Sequence, residues 1–125
     1  MRDITKPVSE TVALASVTSG LVVVNSLHTT CALFINEYQH SLIEDIREFA
    51  ERLIPRGRGY RHDDSRYSDC ERGNADSHIR TALLGRSIAL GLQDARLILG
   101  RFQSIIFVEF DGPRSRQISV EVLGE

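Results

Sequence analysis

The end of the chain constrains the fold most. Residues 105–110 and 117–122 are both rich in β-branched and aromatic side chains, and the second run alternates Ile118, Val120 and Val122 with Gln117, Ser119 and Glu121. A period of two puts the apolar set on one face, the pattern of a strand in a sheet with one side covered. Asp111-Gly112-Pro113-Arg114 lies between the runs and carries turn chemistry, so the two are expected to pair as a hairpin.

Other elements follow from spacing and punctuation. Val8, Val12 and Ala15 fall at i, i+4 and i+7, and Thr5 with Pro7 suits a helix start, which predicts a helix over 6–18 stopped by Gly20. Residues 21–27 read as a strand, and 32–36 as a second. Ser41 followed by Glu44 has the form of a capping box, so a helix is expected from there to Pro55. Its stripe of Leu42, Ile46, Phe49 and Leu53, with Ile43, Ala50 and Ile54 alongside, is expected to face the core. Residues 56–73 lack periodicity and read as a long, Arg- and Asp-rich loop, of a length that is usually functional or disordered. Asn74 is expected to cap a short helix to Leu84 with Ile79 and Leu83 on its apolar side and Gly85 at its end. Residues 87–90 read as a short strand and 91–97 as a connection. Strands mixed with about three helices favour an α+β fold, an antiparallel sheet with helices on one face.

Length and charge then narrow the class. At 125 residues a chain can bury about two-thirds of its unfolded surface without disulfides or structural metals, and residues 1–125 are read as one domain. No apolar run approaches the roughly 18 residues of a membrane span, so no membrane partner is expected. The first residues carry neither a signal core nor a transit pattern, which makes a cytoplasmic location the default. Cys31 and Cys70 are too few for a disulfide framework and are expected to be reduced. With 15 Lys and Arg against 17 Asp and Glu, the formal charge of −2 makes nucleic acid an unexpected partner. Arg52, Arg56, Arg58, Arg61, Arg66 and Arg72 still crowd the middle of the chain, so a local anion site stays open.

Four histidines, at 28, 40, 62 and 78, form no compact metal motif. His28 ends the strand 21–27, where a ring can be aimed into a cleft or simply hydrogen-bonded in place. His62 stands in the polar segment Tyr60-Arg61-His62-Asp63-Asp64, where a carboxylate can orient the ring or the cluster can be solvated. His78 follows Asn74 by four residues and shares its helix face, and His40 is expected to be exposed. Glu109 shares a strand face with Ile105 and Phe107, so its carboxylate should be paired, bound to a cation, protonated or reaching solvent. Glu37 follows the strand 32–36. Arg114 and Arg116 flank the turn, and a guanidinium fork suits phosphate. There is no G-x-x-x-x-G-K-[ST], no helix-opening G-x-G-x-x-G and no G-x-S-x-G, which removes the best-marked nucleotide and hydrolase sites.

Taken together, several blocks resemble the YjbQ-like family, also called secondary thiamine-phosphate synthase. They are His28-Thr29-Thr30-Cys31-Ala32-Leu33-Phe34-Ile35-Asn36-Glu37, Tyr60-x-His62, Asn74-Ala75-x-x-His78 and Leu83-Leu84-Gly85, then Gly100-x-Phe102-Gln103-Ser104-Ile105 and Glu109-x-Asp111-Gly112-Pro113-Arg114-x-Arg116. They follow the family's order and reach back to about Ile4. The resemblance implies an α+β domain with an antiparallel sheet, assembled as a homotrimer around a threefold axis. It places the family's recurrent polar residues at His28, Glu37, His62, His78, Gln103, Glu109 and Arg114. Against the family pattern, Cys31 stands for alanine and Phe102 for tryptophan, and Asp76-Ser77 replaces the usual pair before His78.

The resemblance further implies an enzyme joining a hydroxymethylpyrimidine diphosphate to a thiazole phosphate with release of pyrophosphate. In that scheme His28, His62 and His78 hold a divalent metal ion, zinc or magnesium. Glu37, Glu109 and Gln103 serve as catalytic residues, the carboxylates orienting a ligand or water, and Arg114 contacts phosphate. The expected partner is a small phosphorylated metabolite. The alternative is a trimeric protein that binds a metal or a phosphometabolite without turnover.

Overall fold

The computed structural model describes residues 1–125. Strand β1 (Arg2–Asp3) precedes helix α1 (Thr5–Ala13), strands β2 (Ser19–Ser26) and β3 (Cys31–Asn36), and helix α2 (His40–Leu53). A long loop containing one 3-10 turn (Arg61–Asp63) leads to helix α3 (Ala75–Leu84), then strands β4 (Ser87–Gln93), β5 (Arg96–Leu97), β6 (Ser104–Glu109) and β7 (Ile118–Gly124). The fold is α+β with two antiparallel sheets, ordered β1-β6-β3 and β5-β4-β2-β7.

The expected hairpin does not form. β6 pairs with β1 and β3, while β7 crosses to the other sheet and pairs with β2. Turn chemistry at residues 111–114 reverses the chain, but it cannot say which ladder each strand joins. Both runs find partners elsewhere, since β3 presents six residues to β6 and β2 presents seven to β7. A hairpin forms instead at Asp94 and Ala95, both left-handed at φ 50° and 58°, which turn β4 into β5.

The main core lies between the sheets. Val22 and Val24 of β2, Leu90 and Leu92 of β4, Leu33 of β3 and Ile105 of β6 meet Ile4, Val8 and Val12 from the α1 region. By strand alternation Ala32, Ile106 and Val108 point to the other face of β3 and β6, where α3 packs. Arg80 of α3 donates to the Ile54 carbonyl at the end of α2 at 2.7 Å, tying the two helices together. Helix α3 thus covers one face of the β1-β6-β3 sheet with the end of α2 tied to it, whereas α1 contributes to the core between the sheets.

Three helix readings change. α1 ends at Ala13, short of residue 18, and its sequel reaches Ser16 at φ 26° before β2 begins. The cap of α2 is Gln39, whose Oε1 accepts from the Leu42 amide at 2.8 Å, so Ser41 and Glu44 form no capping box. Glu44 faces His40 at 3.4 Å instead. On α2 only Ile43 and Ala50, with Ile54 behind them, are buried, while Phe49 and Leu53 stay about half exposed at 57% and 48%. α3 is turned over relative to expectation: Ile79 and Leu83 face outward, and Asp76, Ser77, Arg80 and Thr81 face inward.

One backbone approach demands glycine. Gly20 and Gly124 stand opposite each other across β2 and β7 at φ 156° and 152°. A Cβ on either would collide with a carbonyl oxygen of the facing strand, that of Leu123 or of Ser19.

Candidate functional site

Four segments meet at the end of the β3–β6 ladder marked by the Cys31–Glu109 pair: residues 28–31, 61–63, 74–81 and 109–117. Glu109 is their common acceptor. Its carboxylate takes hydrogen bonds from Thr30 Oγ1 at 3.1 Å, Cys31 Sγ at 2.8 Å and the Asp111 amide at 2.6 Å, and it pairs with Arg116. Arg116 also donates to Thr30 Oγ1 at 3.2 Å. Burial works to raise the Glu109 pKa, but Arg116, Cys31, the Asp111 amide and Thr30 together hold it below the ordinary carboxylate value. Burial, then the Glu109 carboxylate, pushes the Cys31 thiol up to about 12. Both cysteines are free.

A second network fixes the start of α3. Asp111 accepts from Arg72 Nε at 2.7 Å and from Asn74 Nδ2 at 2.8 Å, and these partners hold its pKa down, Arg72 foremost. Asn74 therefore occupies the cap position without capping, and Asp63 does that work, its Oδ1 accepting from the Ala75 amide at 2.9 Å. Ser77 Oγ donates to the Phe110 carbonyl at 3.0 Å, binding α3 to the end of β6.

This framework brings histidines together. The rings of His62 and His78 lie 4.9 Å apart, tilted by 48°. His62 Nδ1 is buried and stands 3.5 Å from Asp63 Oδ1, without a hydrogen bond of its own. His78 and His28 line a pocket of about 400 Å³ together with Thr29, Thr81, Ala82, Gly85 and Arg86. In its wall Thr81 Oγ1 is buried without a partner. Arg86 reaches Asn25 Oδ1 at 2.9 Å through one of its nitrogens.

The three histidines do not make a metal centre within one chain. His28 Nε2 accepts the Gln117 amide at 2.8 Å, which occupies the lone pair a cation would need. No three His, Cys, Asp or Glu side chains stand close enough together to hold an ion. Within one chain, then, these residues do not assemble the donor set that zinc or magnesium needs.

The remaining expected residues divide by position. Arg114 is exposed on the turn with no ion-pair partner and lines a second cleft together with Arg2, Phe107 and Ile118. Glu37 and Gln103 lie elsewhere: they flank the Asn36–Ser104 pair, the opposite end of the ladder, five residue steps and about 17 Å from Glu109. Gln103 Oε1 there accepts from the Gly100 amide at 2.7 Å. His40 is exposed, as expected.

Asp63 belongs to the polar segment whose carboxylates the sequence offers as neighbours of His62, whereas its cap on α3 has no local signal. Thr81 is missed by the sequence, although it lies one turn beyond His78. Arg86 carried no local signal.

A two-sheet α+β domain with a histidine pocket at one sheet end defines the class. The whole chain, residues 1–125, matches the model of the UPF0047 protein YjbQ-like family, and the chain belongs to that family. A UPF0047 protein of Archaeoglobus fulgidus is 48% identical over 106 residues, 83% of this chain and 78% of that one. UPF0047 protein YugU of Bacillus subtilis is 32% identical over 99% of this chain and 89% of its own. A YbjQ-like protein of unknown function from Sulfolobus solfataricus P2 superposes with a TM-score of 0.91 at 33% identity, covering 99% of this chain and 86% of that one. A hypothetical protein from Aeropyrum pernix K1 gives 0.89 at 36% identity, covering 99% and 88%. These relatives are known only as UPF0047 proteins and the solved neighbours as proteins without assigned function. The thiamine-phosphate synthase activity expected from the resemblance has no counterpart in their descriptions, which overturns that expectation. No helix is long and apolar enough to cross a membrane.

Proposed function

We propose that the chain binds a small anionic metabolite in the pocket between His28 and His78 and transfers a proton on it, with His78 as the acid–base group. The observation that carries this reading is the double position of His78, in contact with the His62 ring and in the pocket wall at once. Imidazole is the side chain best suited to exchanging protons near neutral pH. Asp63, whose Oδ1 accepts from the Ala75 amide at the start of α3, also stands 3.5 Å from His62 Nδ1 and so places a carboxylate beside the ring that touches His78. Thr81 Oγ1, buried and unpaired, is a hydrogen-bonding group that a ligand would satisfy. Arg86 supplies positive charge, which suits phosphorylated and carboxylated ligands alike.

Association into a homotrimer belongs to the same proposal. Glu37 and Gln103 lie beyond the Asn36–Ser104 end of the ladder, about 17 Å from its Cys31–Glu109 end, too far to act on a ligand held at that end within one chain. A neighbouring subunit would be needed to bring such an end to the pocket. Native mass spectrometry measures the assembly directly.

The functional test begins with a panel of phosphorylated and carboxylated metabolites screened for a rise in melting temperature. Stabilising compounds are then incubated with the protein in H2O and in D2O and analysed by mass. The expected result is conversion or deuterium uptake with the native chain and neither with a folded His78→Gln variant. Ligands that are never altered, or that are altered equally by the variant, refute proton transfer at His78.

A further inference from the structure

We infer that the pocket between His28 and His78 is built for a small monocarboxylate and discriminates against phosphate esters, an inference that rests on the reading of this pocket as an anion site. Arg86 taken alone would serve either ligand. Its surroundings decide between them through the charge they leave to be answered.

The pocket holds one permanent cation. Its other lining residues are His28, Thr29, His78, Thr81, Ala82 and Gly85, none of them a lysine, a second arginine or a carboxylate. Neighbouring guanidinium groups are already spent, Arg72 on Asp111, Arg80 on Asp76 and Arg116 on Glu109. His28 adds no charge, because its Nε2 accepts the Gln117 amide at 2.8 Å and a doubly protonated ring has no lone pair to offer. The ring proton is therefore on Nδ1, where it serves as a neutral donor. His78, in the form that takes a proton from a ligand, is neutral as well.

The end of α3 acts in the same direction. Thr81, Ala82 and Gly85 belong to its last turn and C-terminal cap, and that turn contains no basic residue. The carbonyl end of a helix carries about half a negative charge, which Arg86 must offset before it answers a ligand. A carboxylate brings one negative charge to this place, whereas a phosphate monoester brings about −1.5 to −2 near neutral pH. The surplus would face the helix end in a pocket with no further permanent cation.

Arg86 is also presented for a planar group. Its Nη1 donates to Asn25 Oδ1 at 2.9 Å, and its Nε–Nη2 edge makes no hydrogen bond within the chain. That free edge is a two-donor fork that matches a carboxylate. The backbone beneath it is fixed, since the Arg86 carbonyl accepts from the Ser26 amide at 2.9 Å and the Gly85 carbonyl from the Leu33 amide at 3.0 Å. A side chain held at Nη1 and at its backbone costs less to order around an anion.

Titrations followed by amide NMR shifts test the preference with three ligands that share a propyl body: butanoate, propyl phosphate and propanesulfonate, the last combining a tetrahedral head with a single charge. At neutral pH butanoate is expected to shift the amides of Thr81, Gly85 and Arg86 and to bind at least tenfold more tightly than propyl phosphate, with propanesulfonate closer to butanoate than to the phosphate. Arg86→Gln should weaken butanoate at least tenfold in a chain that stays folded, whereas Arg101→Gln, on a different loop, should leave it within twofold. The imidazole nitrogen resonances of His28 should show a proton on Nδ1 and none on Nε2, and a doubly protonated ring overturns the charge count. Propyl phosphate that binds as tightly as butanoate and is lost with Arg86→Gln overturns the preference while the anion site stands. Propanesulfonate as weak as propyl phosphate overturns the argument from charge. Pocket shifts with none of the three, or shifts that Arg86→Gln leaves unaltered, overturn the anion site and this inference with it.

Discussion

Replacing Glu109 by alanine removes the acceptor shared by Arg116, Thr30, Cys31 and the Asp111 amide. Both Glu109 and Arg116 keep 14% of their side-chain surface exposed, so the pair is neither fully desolvated nor freely solvated. Removing one member of a buried pair costs about 3–5 kcal/mol, and the residual exposure lowers that, which leaves about 3 kcal/mol. At about 2.1 cal/mol/K per residue, a chain of 125 residues has an unfolding entropy of about 0.26 kcal/mol/K, so the melting temperature should fall by roughly 10 °C. The effect should depend on pH with a definite sign. Because the folded carboxyl has a lowered pKa, its contribution is fully present above the unfolded value of about 4.5 and is lost as pH falls through the folded value. Urea unfolding of the native and variant chains at neutral pH and again below pH 4 reads both quantities. A difference under about 1 kcal/mol at neutral pH, or a gap that widens on acidification, would refute the account of Glu109 as the structural centre of this end of the sheet.

Two further outcomes follow from the same geometry. Cys31 is buried and its thiol is pushed up to about 12, so a thiol reagent at mildly alkaline pH should label one cysteine per folded chain, Cys70, and both after denaturation; rapid labelling of Cys31 in the folded chain contradicts the Glu109 contact. Gly20→Ala forces a Cβ against the Leu123 carbonyl at a positive φ and should cost about 2 kcal/mol or more in denaturant unfolding, a cost that a relaxed β2–β7 ladder would not show.

The sequence carried the local elements far better than their partners. Residues 117–122 announce a strand because alternation is a property of the strand itself, and β7 is where it should be, extended by two residues. Its ladder is decided by β2, almost 100 residues earlier, and nothing in the Asp111–Arg114 turn encodes that choice. The candidate site divides in the same way. His28, His62 and His78 could be singled out by residue type and by resemblance, and the fold brings His62 to His78 and His28 into the same pocket as His78. The sequence leaves the Glu109 carboxylate open between a paired, cation-bound, protonated and solvent-reaching state, and its partner in the structure, Arg116, is visible there only as one of two arginines beside a turn. Glu37 and Gln103 share a block order with the other polar residues yet sit at the far end of the ladder, because order along a chain is not position across a sheet.

Helix α3 is where pattern and packing disagree most, and the disagreement can be measured. Ile79 and Leu83 are four residues apart and form the kind of apolar stripe that normally turns inward, yet they are 41% and 59% exposed. The inward face carries Asp76 and Arg80, 3.2 Å apart across one turn and 3% and 8% exposed. Arg80 further donates to the Ile54 carbonyl at 3.1 and 2.7 Å and lies 5.7 Å from the centre of the Phe110 ring. The Asp76–Arg80 pair holds this buried face although Asp76 Oδ1 and Thr81 Oγ1 stay without partners, and Arg80 and Ser77 also bind α3 to the end of α2 and to the end of β6, beside the pocket that His78 and Thr81 line. Asp76→Ala strands the Arg80 charge in the interior and should cost about 3–5 kcal/mol. Serine at Ile79 and Leu83 together removes apolar surface that water already reaches, and should cost about 1 kcal/mol or less. An amphipathic reading of residues 75–84 predicts the reverse order. Urea unfolding of the two variants therefore decides which face of α3 the protein is built on, and a larger loss for the serine variant would overturn the placement of the helix and with it the pocket wall.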